Sequence, residues 1–369
     1  MRYSLKKLSN IPALIVMVIL MLYFMTLPLD TMMDILNTSD LKSFLFFYVL
    51  MVASFAIGII VQVAIHEAGH MVMGLMTGYR FISYRVLNTM IIRDDEGRMK
   101  IRKLSLPGTA GQCLMAPPDY SDRFPFFLYN AGGVLFNLIA SLLTVALMPV
   151  ISIRFIKGVL AGFALSGFMM VCENGIPYRN PLTPNDGMNI LEMILNPESR
   201  RIFWLQMKTN ELIKQGMRIG EMPEEMFEGS DEVLNSGGLG ASLLVFRENR
   251  LMDRHNYEQA NQLIEEWMKN GYPVAGVHRC LMLLDKATID CLGKRYADID
   301  DKQLLKFIKT GRTIPTVIRT EYAIALYKKD KERAQALLKE MESLRNVYPF
   351  PNDLNGDLEI MKTLTEKLP

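Results

Sequence analysis

Four long apolar runs in the first half of the chain constrain its fold more than any other feature. A helix needs about 20 mostly apolar residues to cross the hydrocarbon core of a bilayer. Runs of about that length or longer lie at 10–28, 43–76, 124–148 and 155–175. Half of all residues (50%) are hydrophobic and only 22% are charged, which argues against a wholly soluble protein. The sequence therefore predicts a mainly α-helical, polytopic membrane protein with about four transmembrane helices.

The first apolar run also resembles a secretory signal, because Arg2, Lys6 and Lys7 precede it. No small-x-small cleavage site follows, so we expect residues 1–42 to form a retained anchor helix and an external loop. Lysine and arginine are concentrated in the N-terminal tail and in the 79–123 loop. By the positive-inside rule, we expect both termini and this loop in the cytoplasm of a multi-pass, bacterial cell-membrane protein.

The net charge of +2 leaves no basic excess to bind a phosphate backbone, so nucleic acid is not an expected partner. The apolar runs make a lipid bilayer the expected environment. Within the 79–123 loop, alternating residues on either side of a turn at 94–97 predict a short cytoplasmic β-region. We expect residues 43–190, including this loop, to form the membrane core of the protein.

Residues 191–369 carry most of the charged residues and predict a cytoplasmic, all-α helical domain. Ala260 and Ala334 occupy the positions where tetratricopeptide-type repeats place a small residue, which favours a repeat-like fold that recruits a protein partner; a generic helical bundle is the alternative. The predicted helices cover 198–219, 239–253, 257–270, 275–293, 315–328, 331–345 and 353–367.

The second apolar run contains His66-Glu67-Ala68-Gly69-His70. Histidines at positions i and i+4 lie on one helical face, so both imidazoles can reach one ion, and the glutamate beside the first can contact a metal-bound water. Ionisable side chains are costly inside a bilayer, so this trio predicts a functional site and not a structural polar cluster.

Two histidines leave a hydrolytic zinc site one ligand short. The other two histidines, His255 and His278, lie far along the chain in the charged half. We therefore expect a carboxylate from the end of another span, and Asp186, which opens a helical segment after the fourth run, is the candidate. A simple helix N-cap is the alternative interpretation of Asp186.

Taken together, HEAGH in one apolar run, AGGVLFN (131–137) in the next, and Asn-x-x-Pro and then Asp-Gly after the last resemble the site-2 protease family of intramembrane zinc metalloproteases. The resemblance implies one Zn²⁺ per chain, with His66, His70 and Asp186 as ligands and Glu67 as catalytic base. The substrate-binding residues that it implies are Asn137 and Asn174, with Asn180 as a rival to Asn174.

Two departures from the family pattern stand out. The spacing from Asn174 to Asp186 is longer than usual, and Asn185 replaces the usual Leu.

The expected activity is zinc-dependent cleavage of membrane-embedded or membrane-tethered peptides near the cytoplasmic side. The first alternative is a non-catalytic, metal-binding membrane scaffold whose helical domain recruits partners. The second is a metal transporter, which the clustering of ionisable groups at one depth disfavours.

Overall fold

A computed structural model describes most of the chain and shows a mainly helical protein with one small sheet. The described residues are 11–26, 28–38, 40–94, 97–104, 109–178, 184–230, 234, 238–271, 274, 276–346, 348 and 350–368. These residues form two compact units. The first unit comprises residues of 1–79, 123–180 and 184–195, and the second comprises residues of 80–122, 181–183 and 196–369.

Helices make up the first unit, and they are α1 (Ile11–Phe24), α2 (Leu29–Thr38), α3 (Leu41–Met76), α4 (Phe126–Leu147), α5 (Arg154–Gly175) and α6 (Asp186–Leu195). Four stretches are long and apolar enough to cross a membrane: Pro12–Asn37, Leu41–Met76, Phe126–Val150 and Arg154–Gly175. This confirms the four apolar spans predicted from the sequence as helices of sufficient length; the first stretch is longer than predicted and takes in most of α2.

Small residues let the three long helices α3, α4 and α5 pack closely. Gly69 of α3 and Gly132 of α4 face each other so tightly that a Cβ on either would collide with the backbone carbonyl of the other. Such small-residue contacts are typical of helix packing in an apolar environment, where backbones approach closely. The crossing at Gly69 lies one residue before His70, so it determines where the histidine face of α3 meets α4.

In the second unit, an antiparallel sheet contains β1 (Arg80–Val86), β2 (Thr89–Arg93), β3 (Met99–Lys103) and β4 (Gly111–Ala116) in the order β3-β2-β1-β4. The predicted strands on either side of the 94–97 turn are confirmed as part of this sheet. By its contacts the sheet belongs with residues 196–369, whereas the sequence grouped it with residues 43–190.

The other elements of the second unit are helices, which bury an apolar core that includes Ile202, Leu243, Ile264 and Met282. The predicted helices agree with the structure within a few residues, except that α7 ends at Lys214 because Gly216 follows with a positive φ of 93°. The helices are α7 (Pro197–Lys214), α8 (Leu239–Asp253), α9 (Tyr257–Asn270), α10 (Gly276–Leu292), α11 (Lys302–Thr310), α12 (Pro315–Tyr327), α13 (Lys331–Ser343) and α14 (Pro351–Lys367).

Two helical hairpins in this unit, α8–α9 and α12–α13, have equivalent turns. In each turn one residue adopts a left-handed φ of 59°, namely His255 and Lys329. The backbone hydrogen bonds that close the two turns follow the same pattern. Ala260 and Ala334 are both buried in the second helix of their hairpin, at the same distance from the turn, so the two hairpins share one local geometry.

Candidate metal centre

Helix α3 carries His66, Glu67 and His70, and all three side chains are buried. The two histidines lie one turn apart on the same face of the helix. Their rings meet edge to face, and their Nε2 atoms are 3.0 Å apart. Both imidazoles therefore direct the same ring nitrogen toward one point beside α3.

Asp186 brings a carboxylate to that point from the first turn of α6. Its Oδ2 lies 3.0 Å from Nε2 of His66 and 3.4 Å from Nε2 of His70. Across the described ranges, this trio is the group of His, Cys, Asp and Glu side chains near enough to one another to hold a metal ion. The structure thus brings together the three residues that the sequence proposed as ligands.

The second nitrogen of each ring is already engaged. Nδ1 of His66 lies 2.7 Å from Oδ1 of Asn137, and Nδ1 of His70 lies 2.7 Å from the backbone carbonyl oxygen of Tyr129. These oxygens can only accept, so each Nδ1 donates, and a neutral ring then presents a lone pair at Nε2. Two lone pairs therefore converge with a buried Asp186 oxygen that has no hydrogen-bond partner, an arrangement that a cation would stabilise.

Asn137 is held in the orientation that this tautomer needs. Its Nδ2 donates to the backbone oxygen of Gln62 at 2.8 Å and to Oε1 of the same residue at 2.7 Å. Because the amide nitrogen is committed to two acceptors, Oδ1 is the atom that faces His66. Asn137 is fully buried, and these contacts give it a positioning role behind His66; a contact with substrate stays a prediction.

The distances fit a tetrahedral transition-metal ion. Zinc bonds of about 2.0–2.1 Å place neighbouring ligand atoms about 3.3 Å apart. The three separations among Nε2 of His66, Nε2 of His70 and Oδ2 of Asp186 are 3.0, 3.0 and 3.4 Å. Two imidazoles and one carboxylate suit zinc and other divalent first-row metals. With three protein ligands, a tetrahedral ion keeps one position open for water or substrate.

Gly133 makes room for the His66 ring. A Cβ at this position of α4 would lie 2.5 to 2.6 Å from three atoms of the imidazole, closer than carbon and ring atoms can approach. The ring therefore lies directly against the backbone of α4. Any side chain at Gly133 would push His66 away from Asp186. The AGGVLFN segment therefore contributes to the site in two ways: Gly133 leaves room for the His66 ring, and Asn137 bonds to it.

Asn185 fixes the start of α6, and with it the position of Asp186. Its Nδ2 donates to the carbonyl oxygens of Glu173, at 2.6 Å, and of Ile176, at 2.8 Å, while its Oδ1 accepts from the backbone N–H of Met188 at 2.9 Å. The last contact is that of a helix N-cap. Asn185 thus takes the capping role that the sequence offered as the alternative for Asp186, and it ties α6 to the end of α5.

The remaining predicted site residues are Asn174 and Asn180. Asn174 lies near the end of α5, where its Nδ2 donates to the carbonyl oxygen of Met170 at 3.1 Å. Asn180 lies outside the described residues. Sequence reasoning missed Gln62, the Tyr129 carbonyl and Asn185. Only Asn185 gave a readable signal, as an Asn preceding a helix.

No family model, curated protein or solved structure matches this chain. The resemblance to the site-2 protease family therefore depends on the motif residues alone.

Proposed function

We propose that this protein is an intramembrane zinc endopeptidase of the site-2 protease type. The observation that carries the proposal is the convergence of His66 Nε2, His70 Nε2 and Asp186 Oδ2 within 3.0 to 3.4 Å. Both histidines lie on a helix of membrane-spanning length and composition. A buried site of this kind within an apolar helix implies a function, because it is costly to maintain.

The apolar outer faces of the long helices support insertion into a bilayer. Val49 and Ile57 of α3 and Leu143 of α4 are each 60% exposed or more. Soluble proteins seldom expose continuous apolar surface of this extent, whereas lipid would cover it. On the proposed topology the protein crosses a bacterial cell membrane several times, with both termini in the cytoplasm.

The site lies toward the cytoplasmic end of α3 in this topology. His66 and His70 come ten and six residues before Met76, where α3 ends. At 1.5 Å per residue, the centre is about 10–15 Å from that end of the helix. A substrate would be a membrane-embedded or membrane-tethered peptide, locally unwound because helical peptide bonds are shielded by their own hydrogen bonds.

Zinc, when bound, lowers the pKa of a water molecule and polarises the carbonyl of the scissile peptide. Glu67 follows the first ligand on the same helix, and in this proposal its carboxylate would accept a proton from the attacking water and return it to the leaving amine. Asn137 and the backbone carbonyl of Tyr129 accept from Nδ1 of His66 and His70, which leaves Nε2 of each ring to face the metal position. Asn174, or Asn180, would hold the peptide backbone during attack.

Replacing Glu67 by Gln separates this proposal from the scaffold and the transporter. Purified protein would be assayed for bound zinc and for cleavage of a synthetic transmembrane peptide in detergent micelles. We expect one zinc ion per chain in both forms, with cleavage in the wild type only. Asp186→Ala is the matched control, and it should lose both zinc and cleavage.

Zinc binding without cleavage by either form, across peptides of differing sequence, would favour a non-catalytic scaffold. Zinc uptake into sealed vesicles that is independent of Glu67 would favour transport. Cleavage by the Glu67→Gln protein at the wild-type rate would contradict the assignment of the base.

A further inference from the structure

Four helices of the second unit contribute to one buried cluster of ionisable side chains. Arg319 of α12 donates from Nη1 to Oδ1 of Asp357 of α14 at 2.6 Å and from Nη2 to Oδ1 of Asp285 of α10. Glu248 of α8 lies beside Asp285 and completes the cluster. All four side chains belong to residues that are more than nine-tenths buried. The cluster therefore joins α8, α10, α12 and α14 inside the helical core.

This cluster has more carboxyl groups than its one guanidinium can neutralise. With all three carboxyl groups ionised, it would hold a net charge of −2 out of contact with water. An uncompensated charge in a protein interior is strongly destabilising, and such groups commonly take up a proton instead. One neutral carboxyl group would halve the excess charge.

Glu248 is the group whose surroundings favour the neutral form. Both of its carboxyl oxygens are buried, and neither accepts from an N–H or O–H group of the described residues. Its hydrogen-bonding neighbour is the carboxyl group of Asp285. Ionised carboxylates can only accept, so a bond between two carboxyl groups requires a proton on one of them. Asp285 and Asp357 both accept from Arg319, which favours their ionised forms, so the proton belongs to Glu248.

The ionisation of Glu248 depends on its neighbours from other helices. Burial and the neighbouring charge of Asp285 raise the pKa of Glu248 well above its usual range, and Arg319 lowers it only in part. Asp357 acts on Arg319, and Arg319 in turn acts on Tyr257 of α9. Because the folded-state pKa of Glu248 lies above the unfolded value, its stabilisation is fully present below the unfolded pKa. It is lost as the pH rises through the raised pKa.

We propose that Glu248 forms a pH-sensitive contact: as a neutral carboxylic acid it donates a hydrogen bond to Asp285 and holds α8 against α10, and as a carboxylate it releases α8. The chemical step is a simple ionisation, in which the carboxyl proton passes to water. The helical unit thereby loosens as the pH rises, independently of the metal centre.

The position of Glu248 explains why its ionisation would move a helix. An ionised Glu248 would face the carboxylate of Asp285 as a like charge in a medium of low dielectric constant. Arg319 already donates to two carboxylates. Water can relieve the repulsion only if α8 moves away from α10. Since α8 and α12 are the first helices of the two hairpins, this movement would also loosen one hairpin from the other.

Infrared spectroscopy of the purified full-length protein tests the protonation state. A neutral carboxylic acid absorbs apart from a carboxylate and from a glutamine amide. At about pH 7 we expect the wild type to show a band of one neutral carboxyl group that Glu248→Gln lacks. This band should disappear as the pH is raised. The exposed Glu366→Gln removes a carboxyl group of ordinary surroundings and should leave the band in place.

Hydrogen exchange read by mass spectrometry tests the release of α8. Glu248→Gln is a neutral isostere that can still donate to Asp285, so it should fold and stay closed at every pH. Each pH unit above the folded-state pKa shifts the opening equilibrium tenfold. We therefore expect amides of α8 and α10 to exchange at equal rates in the two proteins at about pH 5, and at least about tenfold faster in the wild type at about pH 9.

Helix α13 serves as the internal reference, because it contributes no side chain to the cluster, and its exchange should be the same in both proteins. Glu248→Asp keeps the ionisable group and should retain the pH dependence. A wild-type spectrum without the neutral carboxyl band would overturn the assignment of the proton. Equal exchange of α8 in the wild type and Glu248→Gln across the pH range would overturn the release, as would a difference that extends equally to α13.

Discussion

Asn137 offers the sharpest test of how the candidate centre is organised, because it accepts from Nδ1 of His66, the ring nitrogen that does not face Asp186. Asn137→Ala removes the acceptor for Nδ1 of His66, so the ring loses both its orientation and its preferred tautomer. Loss of such an outer-shell partner typically weakens metal binding about 10- to 100-fold. This corresponds to about 1.4–2.7 kcal/mol.

The same substitution also affects folding. It leaves the backbone oxygen and Oε1 of Gln62 without the donors at 2.8 and 2.7 Å. An unsatisfied buried polar group costs about 1–3 kcal/mol, so we expect a lower melting temperature even in the metal-free protein. Both effects have the same cause, namely a buried amide that bridges α3 and α4.

Zinc affinity is measured by competition with a chromophoric chelator, and thermal unfolding is recorded with and without zinc. Asn174→Ala is the matched control, because Asn174 bonds only to a carbonyl within α5 among its described contacts; it should leave zinc affinity within about twofold of wild type. Wild-type zinc affinity in folded Asn137→Ala would refute the tautomer argument. Equal zinc loss in both variants would show that the effect is not specific to the His66 contact.

Three further predictions follow from individual contacts. Gly133→Ala places a Cβ 2.5 to 2.6 Å from the His66 ring, so we expect reduced zinc content and lost cleavage. Gly293→Ala, whose Cβ would make only contacts of 3.4 Å or longer, is the steric control, and full activity of Gly133→Ala would contradict the packing. Asn185→Leu introduces the residue that is usual in the site-2 protease family but removes three hydrogen bonds. We expect weaker zinc binding by titration, and tighter binding would show that the asparagine does not position Asp186. Asp301 caps α11, and the Arg279 guanidinium and the Leu304 N–H lower the pKa of its carboxyl group. Its stabilisation of about 1 kcal/mol is therefore present above its unfolded pKa and is lost as the pH falls through the lowered value. Denaturant unfolding from pH 7 to pH 3 should show this loss in the wild type and a smaller one in Asp301→Asn, and equal pH profiles would contradict it.

The apolar runs were sufficient to predict the long helices, because length and hydropathy together leave few alternatives for a run such as 43–76. The relation between His66 and His70 was equally predictable, since it depends only on helical periodicity. The approach of Asp186 was proposed from the chemistry of zinc, which needs a third ligand. The contacts behind the ligands were not predictable in this way.

The missed contacts depend on tertiary packing. The Tyr129 carbonyl and the Gln62 side chain reach the site only because α3 and α4 cross at Gly69 and Gly132. A backbone carbonyl also has no sequence signature. Asn185 was noticed only as a departure from a family pattern, although its position before a helix was a readable N-cap.

Short elements were missed for local reasons. Strand β4 begins at Gly111 within a stretch that looks like a turn, and only pairing with β1 makes it a strand. Helix α11 was missed although Asp301 caps it. The prediction for α7 continued to residue 219 because its apolar periodicity outlasts the helix, which ends before Gly216.

X-ray absorption at the zinc edge of the purified protein tests the metal centre most directly. The geometry predicts one zinc ion per chain with two imidazole nitrogens and one carboxylate oxygen at about 2.0–2.1 Å, and a spectrum that loses the imidazole pattern when His66 and His70 are both replaced by Ala. A zinc ion bound only by oxygen, or a spectrum that the double substitution leaves unchanged, would contradict the account.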